Sequence, residues 1–414
     1  MTTLLQSSPP PVVATRPRRT HNVLPRSVAF WLVTGTTATL LAASSAPSPL
    51  YPVYQAEFGF SAITLTAIFS VYVLALLLSL LTVGRLSDFL GRRPVLATGL
   101  VVEAGAMAVF LGANDVAALF AARIVQGLAT GAAIGVLGAY LLDLQPPGNS
   151  RLGSLANSAA ATGGLGVGAA ATGALIQYGP HPTRLVFAIL TALFLALALA
   201  TTVLPETVRR TPGVRAALRP RVAVPTSARR AFAHAVPTMV STWMLGGLML
   251  SVGGSLLAGV FGQDNHAVVG LVLGLFAGSA AVASILLRHR VPEYMATFGT
   301  VLLSAGTGLF LIALASSSLT VFVLGALVAG SGFGPAFLGA FRTVSQLAAP
   351  HERAALISAI YVVSYLAFSI PALVAGLVIT SEGLRATSLG YGAVVALVAA
   401  GTLAYETRAA LRDS

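Results

Sequence analysis

Charged side chains make up only 9% of this chain, so those that interrupt apolar stretches mark where chemistry would be done. Glu103 and Arg123 are two such residues. Each stands in a run of roughly 20 mostly apolar residues, the length an α-helix needs to cross about 30 Å of hydrocarbon. An ionisable group at such depth is costly unless it is paired, hydrated or turned toward a cavity. A carboxyl in apolar surroundings resists ionisation, while a neighbouring guanidinium favours it. A balance between the two lets a carboxyl take up and release a proton. Glu103 lies roughly 12 Å from one end of its run and Arg123 about 9 Å in from the opposite face, a depth difference on the order of 9 Å. That spacing allows a direct or water-bridged pair without compelling one. Gln126 follows Arg123 at a helical spacing that puts both on one side.

A second constellation is Gly84-Arg85-Leu86-Ser87-Asp88-Phe89-Leu90-Gly91-Arg92-Arg93-Pro94. Gly84 and Asp88 share a face if the preceding helix continues, and the bare Gly84 lets another helix approach closely. Asp88 is expected to accept from a neighbouring helix amino terminus, whose dipole favours an anion. Gly91 permits a tight turn, and Arg92 can pair with Asp88. Asp143, closing a later apolar run, either joins this cluster or acts as a simple interfacial cap. A latch between two halves of the molecule is the chemistry such a cluster would supply.

A third set is aromatic. Trp243, Tyr361, Ser364 and Tyr365 could line a cavity, because Tyr361 and Tyr365 are one turn apart with Ser364 beside them. Aromatics in membrane helices also serve as packing residues or interface anchors. The same residues therefore carry both readings.

Other chemistries find no support. The chain has no cysteine, which removes disulfides, thiolate catalysis and cysteine metal sites. Clustered carboxylates, paired histidines or a nucleophile beside a base are missing, so a membrane-embedded enzyme is excluded. No cofactor or metal is expected. The formal charge of +12 comes from arginine alone, and its placement fits membrane orientation better than nucleic-acid binding.

The elements that must position these residues follow from hydropathy. With 56% hydrophobic residues and a mean hydropathy of +0.87, the chain has lipid as its main solvent. Apolar runs near 27–43, 61–83, 95–113, 117–141, 155–177 and 184–204 predict six spans, and those near 233–260, 266–287, 295–315, 318–341, 353–379 and 386–405 predict six more. Ten or eleven spans is the alternative count. The first run ends in small residues that imitate a signal-peptidase site, but its apolar stretch exceeds the ~7–15 residues of a signal core. Arginines sort by loop: Arg85, Arg92, Arg93, Arg151, Arg209 to Arg230, Arg288, Arg290, Arg342, Arg353, Arg408 and Arg412 fall on one side, and only Arg184 and Arg385 on the other. By the positive-inside rule both termini are cytoplasmic. Residues 1–26 read as a disordered basic arm, 27–205 and 233–406 as two helical bundles, 206–232 as a basic linker with Pro212, Pro220 and Pro225, and 407–414 as a tail.

Small residues suggest how the helices pack. Gly127, Gly131 and Gly135 form a ladder on one face, and Gly163, Gly164, Gly168 and Gly173 crowd the fifth span, where a plain packing seam is the alternative to a functional one. Gly330, Gly332, Gly334, Pro335 and Gly339 predict bending of the tenth span, and Pro371 of the eleventh.

The Gly84 to Pro94 loop resembles the signature loop of the major facilitator superfamily, with Phe89 where that pattern usually has a basic residue. The six-plus-six layout extends the resemblance over the whole chain. Leu119, Arg123, Gln126 and Gly127 are similar to the family's second signature, which implies a role near a proton or substrate path; a buried structural pair is the alternative. The fifth-span glycines resemble the antiporter signature, with Ala169 in place of proline and Thr172 in place of glycine. The resemblance implies an all-α integral membrane fold of twelve helices in two six-helix bundles that rock around a central site. It further implies a monomeric, multi-pass carrier. The nearest likeness is to bacterial drug/proton antiporters, implying proton-coupled export of a small amphiphilic compound. Uptake of a sugar, organic acid or other nutrient is the alternative. Absence of lysine with abundant Ala and Gly fits a bacterial inner-membrane protein.

Overall fold

The computed structural model describes residues 23–148, 152–349 and 351–413; residues 1–22 of the expected arm and Arg151 lie outside them. Among the described residues every regular element is helical. The first bundle contains α1 (Arg26–Ser45), α2 (Tyr51–Phe58), α3 (Ala62–Val83), α4 (Ser87–Leu90), α5 (Arg92–Leu111), α6 (Val116–Leu144), α7 (Leu152–Tyr178) and α8 (Leu185–Ala200). The connecting segment holds α9 (Val214–Ala217). The second bundle contains α10 (Arg229–Ser251), α11 (Gly253–Gly259), α12 (His266–Leu286), α13 (Pro292–Ser316), α14 (Leu319–Ser345), α15 (Arg353–Glu382) and α16 (Leu384–Asp413). α10 thus starts inside the stretch read as linker.

Eleven helices are each long and apolar enough to cross a membrane, and the α10–α11 pair, bent by 53°, supplies a twelfth span. Four helices start with a side chain accepting from the first turn: Ser61 for α3, Asp115 for α6, Asn265 for α12 and Ser318 for α14. All four starts lie on the side away from the arginine-rich loops. There each cap satisfies amides that would otherwise face the membrane boundary unpaired.

Packing follows the small residues. On α6, Gly127 and Gly131 lie against the carbonyls of Tyr72 and Leu76, and a Cβ at Gly135 would stand 2.8 Å from Gly84 O, so the ladder seats α6 on α3. Gly164 and Gly168 meet the backbone of α1 at Ala38 and Ala42, within the same bundle. Contact with the other bundle comes instead from Gly166 and Gly173, which approach Gly274 and Gly270 of α12. The fifth-span glycines therefore serve two seams on two faces.

One expectation about helix continuity is corrected, that of the seventh span. α14 runs through Gly334 and Pro335, and α15 through Pro371, without interruption. On α14, Gly330 and Gly334 abut carbonyls of α12, while Gly332 and Gly339 abut the backbone of α13, so these glycines serve close packing. The break falls in the seventh span, expected to be continuous over 233–260. There Val252 leaves helical geometry at φ −114° and ψ −3°, and Gly253 and Gly254, poor helix formers, follow it. The first span ends comparably: α1 stops at Ser45, Pro47 and Pro49 interrupt, and α2 begins. The short helices α2 and α11 meet across the bundle interface, where a Cβ on Gly254 would lie 3.2 Å from Ser48 O and 3.4 Å from Pro52. With Ser70 donating to Ser369 O at 3.1 Å and Gly376 of α15 against Thr66 of α3, the bundles are closed on the outer side.

Candidate functional site

At the arginine-rich end of the first bundle, Arg92 organises the cluster. Its Nη1 donates to Asp88 Oδ1 at 2.5 Å and to Ser87 Oγ at 2.7 Å, and its Nε reaches Asp143 Oδ2 at 3.3 Å. Asp143 also accepts from Thr207 Oγ1 at 2.7 Å. Asp143 therefore joins the cluster as expected. Asp88 pairs with Arg92 as expected, but among the described residues no helix amino terminus donates to it, and its side chain is 49% exposed. No hydrogen bond or ion pair among the described residues ties Asp88 to the second bundle, because in this outer-closed arrangement the cluster faces the connecting segment. Phe89 docks there, its carbonyl accepting from Thr211 N at 3.0 Å and its ring packing on Gly213.

Glu206 takes the capping role that was assigned to Asp88. Its carboxylate accepts from the amides of Arg92 at 2.8 Å and Arg93 at 3.1 Å, the exposed first turn of α5. Gly91 permits this with φ +94°; a Cβ there would stand 2.7 Å from Glu206 Oε2. Arg93 turns away from the carboxylates and donates to the carbonyls of Thr201 and Thr202 at the end of the sixth span. The sequence signal for Glu206 is only a carboxylate directly after Pro205, since the amides it accepts from lie 114 and 113 positions away.

Within the membrane, Arg123 is fully buried. It donates to Tyr51 Oη through Nε at 3.1 Å and also through Nη2, to Ser44 O at 3.2 Å and to Gln126 Oε1 at 2.7 Å. Its guanidinium lies 4.9 Å from the Tyr72 ring centroid and 5.5 Å from that of Tyr51, so neutral acceptors and π-faces hold the charge. Gln126 Nε2 donates to Ala43 O at 3.0 Å. Glu103, also fully buried, accepts from Thr130 Oγ1 at 3.2 Å through Oε2, while Oε1 has no partner. The Glu103–Arg123 ion pair that spacing allowed is not formed. Tyr51, Ser44, Tyr72 and Thr130 were missed, since all but Thr130 come from other spans.

The second bundle presents an aromatic face. Trp243 of α10 packs edge-on against Phe337 at 5.2 Å, Tyr365 at 5.3 Å, Phe368 at 5.2 Å and Phe333 at 5.9 Å. Tyr361 stacks on Tyr365 at 5.8 Å, and Phe69 of α3 meets Phe368 at 5.1 Å. The tyrosines thus come together as expected, with Trp243 between them and α14. Ser364 is fully buried beside them rather than open, and its hydroxyl and the Trp243 Nε1 lack acceptors. Phe333 and Phe337 were missed because phenylalanine at helical spacing reads as ordinary core.

Tyr72, one turn along α3 from Phe69, donates its hydroxyl to Ser44 Oγ at 2.7 Å. A lateral apolar groove of ≈ 410 Å³ runs along Ala42, Gly164, Gly168, Thr172 and Leu190, away from these residues on the lipid-facing side of α7. A buried polar, charged cluster in the first bundle thus lies behind Tyr72, and an aromatic cluster in the second bundle meets α3 at Phe69.

Comparison with known proteins agrees with this geometry. The sequence profile described as Major Facilitator Superfamily matches residues 33–372. A bacterial homologue of the human lysosomal transporter Spinster, in an inward-facing, unoccupied conformation, superposes with a TM-score of 0.73 at 15% identity, covering 94% of this chain and 98% of that one. The xylose transporter XylE from E. coli, inward open, gives 0.71 at 15% identity, covering 91% and 96%. An uncharacterized transporter of Rickettsia bellii (strain RML369-C) is 43% identical over 68 residues, 16% of this chain and only 17% of that protein's length.

Proposed function

From the premise that this chain belongs to the Major Facilitator Superfamily and is a multi-pass membrane transporter rather than an enzyme, we propose that it exports a small amphiphilic compound in exchange for protons. The observation that carries this reading is the pairing of surfaces at the bundle interface. An aromatic wall of Trp243, Phe337, Tyr361 and Tyr365 offers apolar and edge contacts, and the first bundle brings a buried cluster with one carboxylate and one guanidinium. Such a lining suits a compound with a flat apolar body and a few polar groups. Glu103 carries the proton, as the one acidic side chain buried in the spans of the first bundle beside Arg123. Asp88, Arg92 and Asp143 act as the cytoplasmic gate when α3 and α15 close on that side. The protein works as a monomer in a bacterial cytoplasmic membrane.

Everted membrane vesicles test the direction. With a proton gradient imposed, fluorescent planar amphiphiles should accumulate in vesicles carrying the protein and not in those carrying Glu103→Gln. Uptake of a sugar or organic acid into right-side-out vesicles, with no accumulation in everted ones, would instead select the nutrient-carrier reading. Unchanged proton-driven flux in Glu103→Gln would remove that residue from the mechanism.

A further inference from the structure

Arg123 spends its hydrogen bonds on neutral acceptors and forms no ion pair with Glu103. Tyr51 Oη accepts from both its Nε and its Nη2, and Ser44 O from Nη1. These acceptors bracket the interruption between α1 and α2, and Gln126 adds a bond to Ala43 O on the same turn. The α1–α2 turn and α2 in turn contribute to the outer closure, since Ser48 and Pro52 lie against Gly254 of α11. On the other side, Glu103 leaves Oε1 without a partner in a fully buried position. The groups that face the Glu103 carboxyl are Thr130, Gln126 and Arg123 from α6 and Tyr72 from α3. α8, also packed on α5, brings no titratable side chain. Asp88, Arg92, Asp143 and Glu206 gather at the cytoplasmic end of α5, roughly 16 Å from Glu103 along the helix. Beyond Tyr51, α2 carries Tyr54 and Glu57, whose charge interactions reach Tyr54 rather than Glu103.

We propose that Tyr51 is a positioning residue that holds Arg123 away from Glu103 and thereby ties the charge on Glu103 to the outer closure made by α2 and α11. The proposal rests on the reading of Glu103 as the proton carrier. With the carboxyl protonated, Arg123 has no anion to seek, and its bonds to Tyr51 and Ser44 pin α2 in place. Once the proton has left toward the cytoplasm, the carboxylate draws the guanidinium to the vacant Oε1, because a charged hydrogen bond in a dry setting outweighs one to a neutral phenol. Tyr51 is then released, the turn between α1 and α2 loses its brace, and α2 can part from α11.

The absence of native cysteine makes the test direct. Spin labels at Ala56→Cys on α2 and Gly259→Cys on α11, both exposed positions, report the outer distance in reconstituted full-length protein by pulsed electron resonance. The labelled parent should gain a long-distance population as pH rises, and Glu103→Gln should stay short throughout. Tyr51→Phe should show the long distance already at acidic pH, enriched about tenfold or more, the scale set by one hydrogen bond to a charged group. A flat pH response in the parent overturns the proposal without recourse to any Tyr51 variant. Tyr51→Phe following the parent curve also overturns it. Proton-driven transport persisting in Glu103→Gln removes the coupling reading itself, whereas loss of coupling there with an inert Tyr51→Phe removes only the link to α2.

Discussion

Glu206 and Arg92 hold the arginine-rich end of the first bundle by different means, and substitutions should separate them. Glu206→Ala deprives the first two amides of α5 of their acceptor, which should cost about 1 kcal/mol, the usual worth of a helix cap, read as a lower unfolding midpoint in detergent. Asp88→Asn leaves Arg92 its bond to Ser87 and its contact with Asp143, so the protein should insert and keep its midpoint while transport falls. Full transport by Asp88→Asn would show that the gate does not need this carboxylate. At this scale the sequence was legible where partners are near neighbours. Asp88 and Arg92 are one helical turn apart, and their bond followed from spacing. Tyr51, Ser44 and Glu206 were not legible, because the bonds that the first two make to Arg123 and the third makes to Arg92 span from 72 to 114 positions of chain, and only the folded bundle brings them within reach.

Among the helices, glycine substitutions should divide by which seam they touch. Gly168→Ala forces α7 off α1 at Ala42, within one bundle, and should destabilise by about 1–3 kcal/mol as an overpacked contact, seen in thermal unfolding. Gly35→Ala meets nothing within 4 Å and should be neutral or add ~0.5–1 kcal/mol through helix propensity. Gly173→Ala is a different case, since it intrudes on Gly270 of the other bundle. It should shift the protein toward an outward-open form with little loss of stability, measured as faster thiol labelling at a cysteine introduced on the outer side of α3. Span positions were readable because lipid demands long apolar runs whatever the tertiary packing. Helix breaks were not, since Pro335 and Pro371 sit in unbroken helices while the interruption falls at Val252, a residue with no breaking tendency of its own. Neighbouring helices decide whether a proline's freed carbonyl costs enough to end a helix.

For the molecule as a whole, the sorting of arginines between loops predicts orientation. Ala56→Cys should react with an impermeant thiol reagent in intact cells, and Arg209→Cys only after the membrane is opened, with the reverse pattern contradicting the assignment of both termini to the cytoplasm. The placement of Arg123 has an electrical consequence as well. It is buried with neutral acceptors around it, so under the role proposed for Glu103 the two buried side chains together carry a net positive charge when Glu103 is protonated and none when it is ionised. A unit charge crossing the whole field changes its energy by about 2.3 kcal/mol per 100 mV, so a rocking motion through a tenth of the field is worth roughly 0.2 kcal/mol. An inside-negative potential would thus bias the proton-loaded carrier inward and leave the unloaded one nearly indifferent. Voltage would act on one leg of the cycle alone, and the carrier's own displacement current, present before any cargo moves, should appear with the proton and vanish in Arg123→Gln.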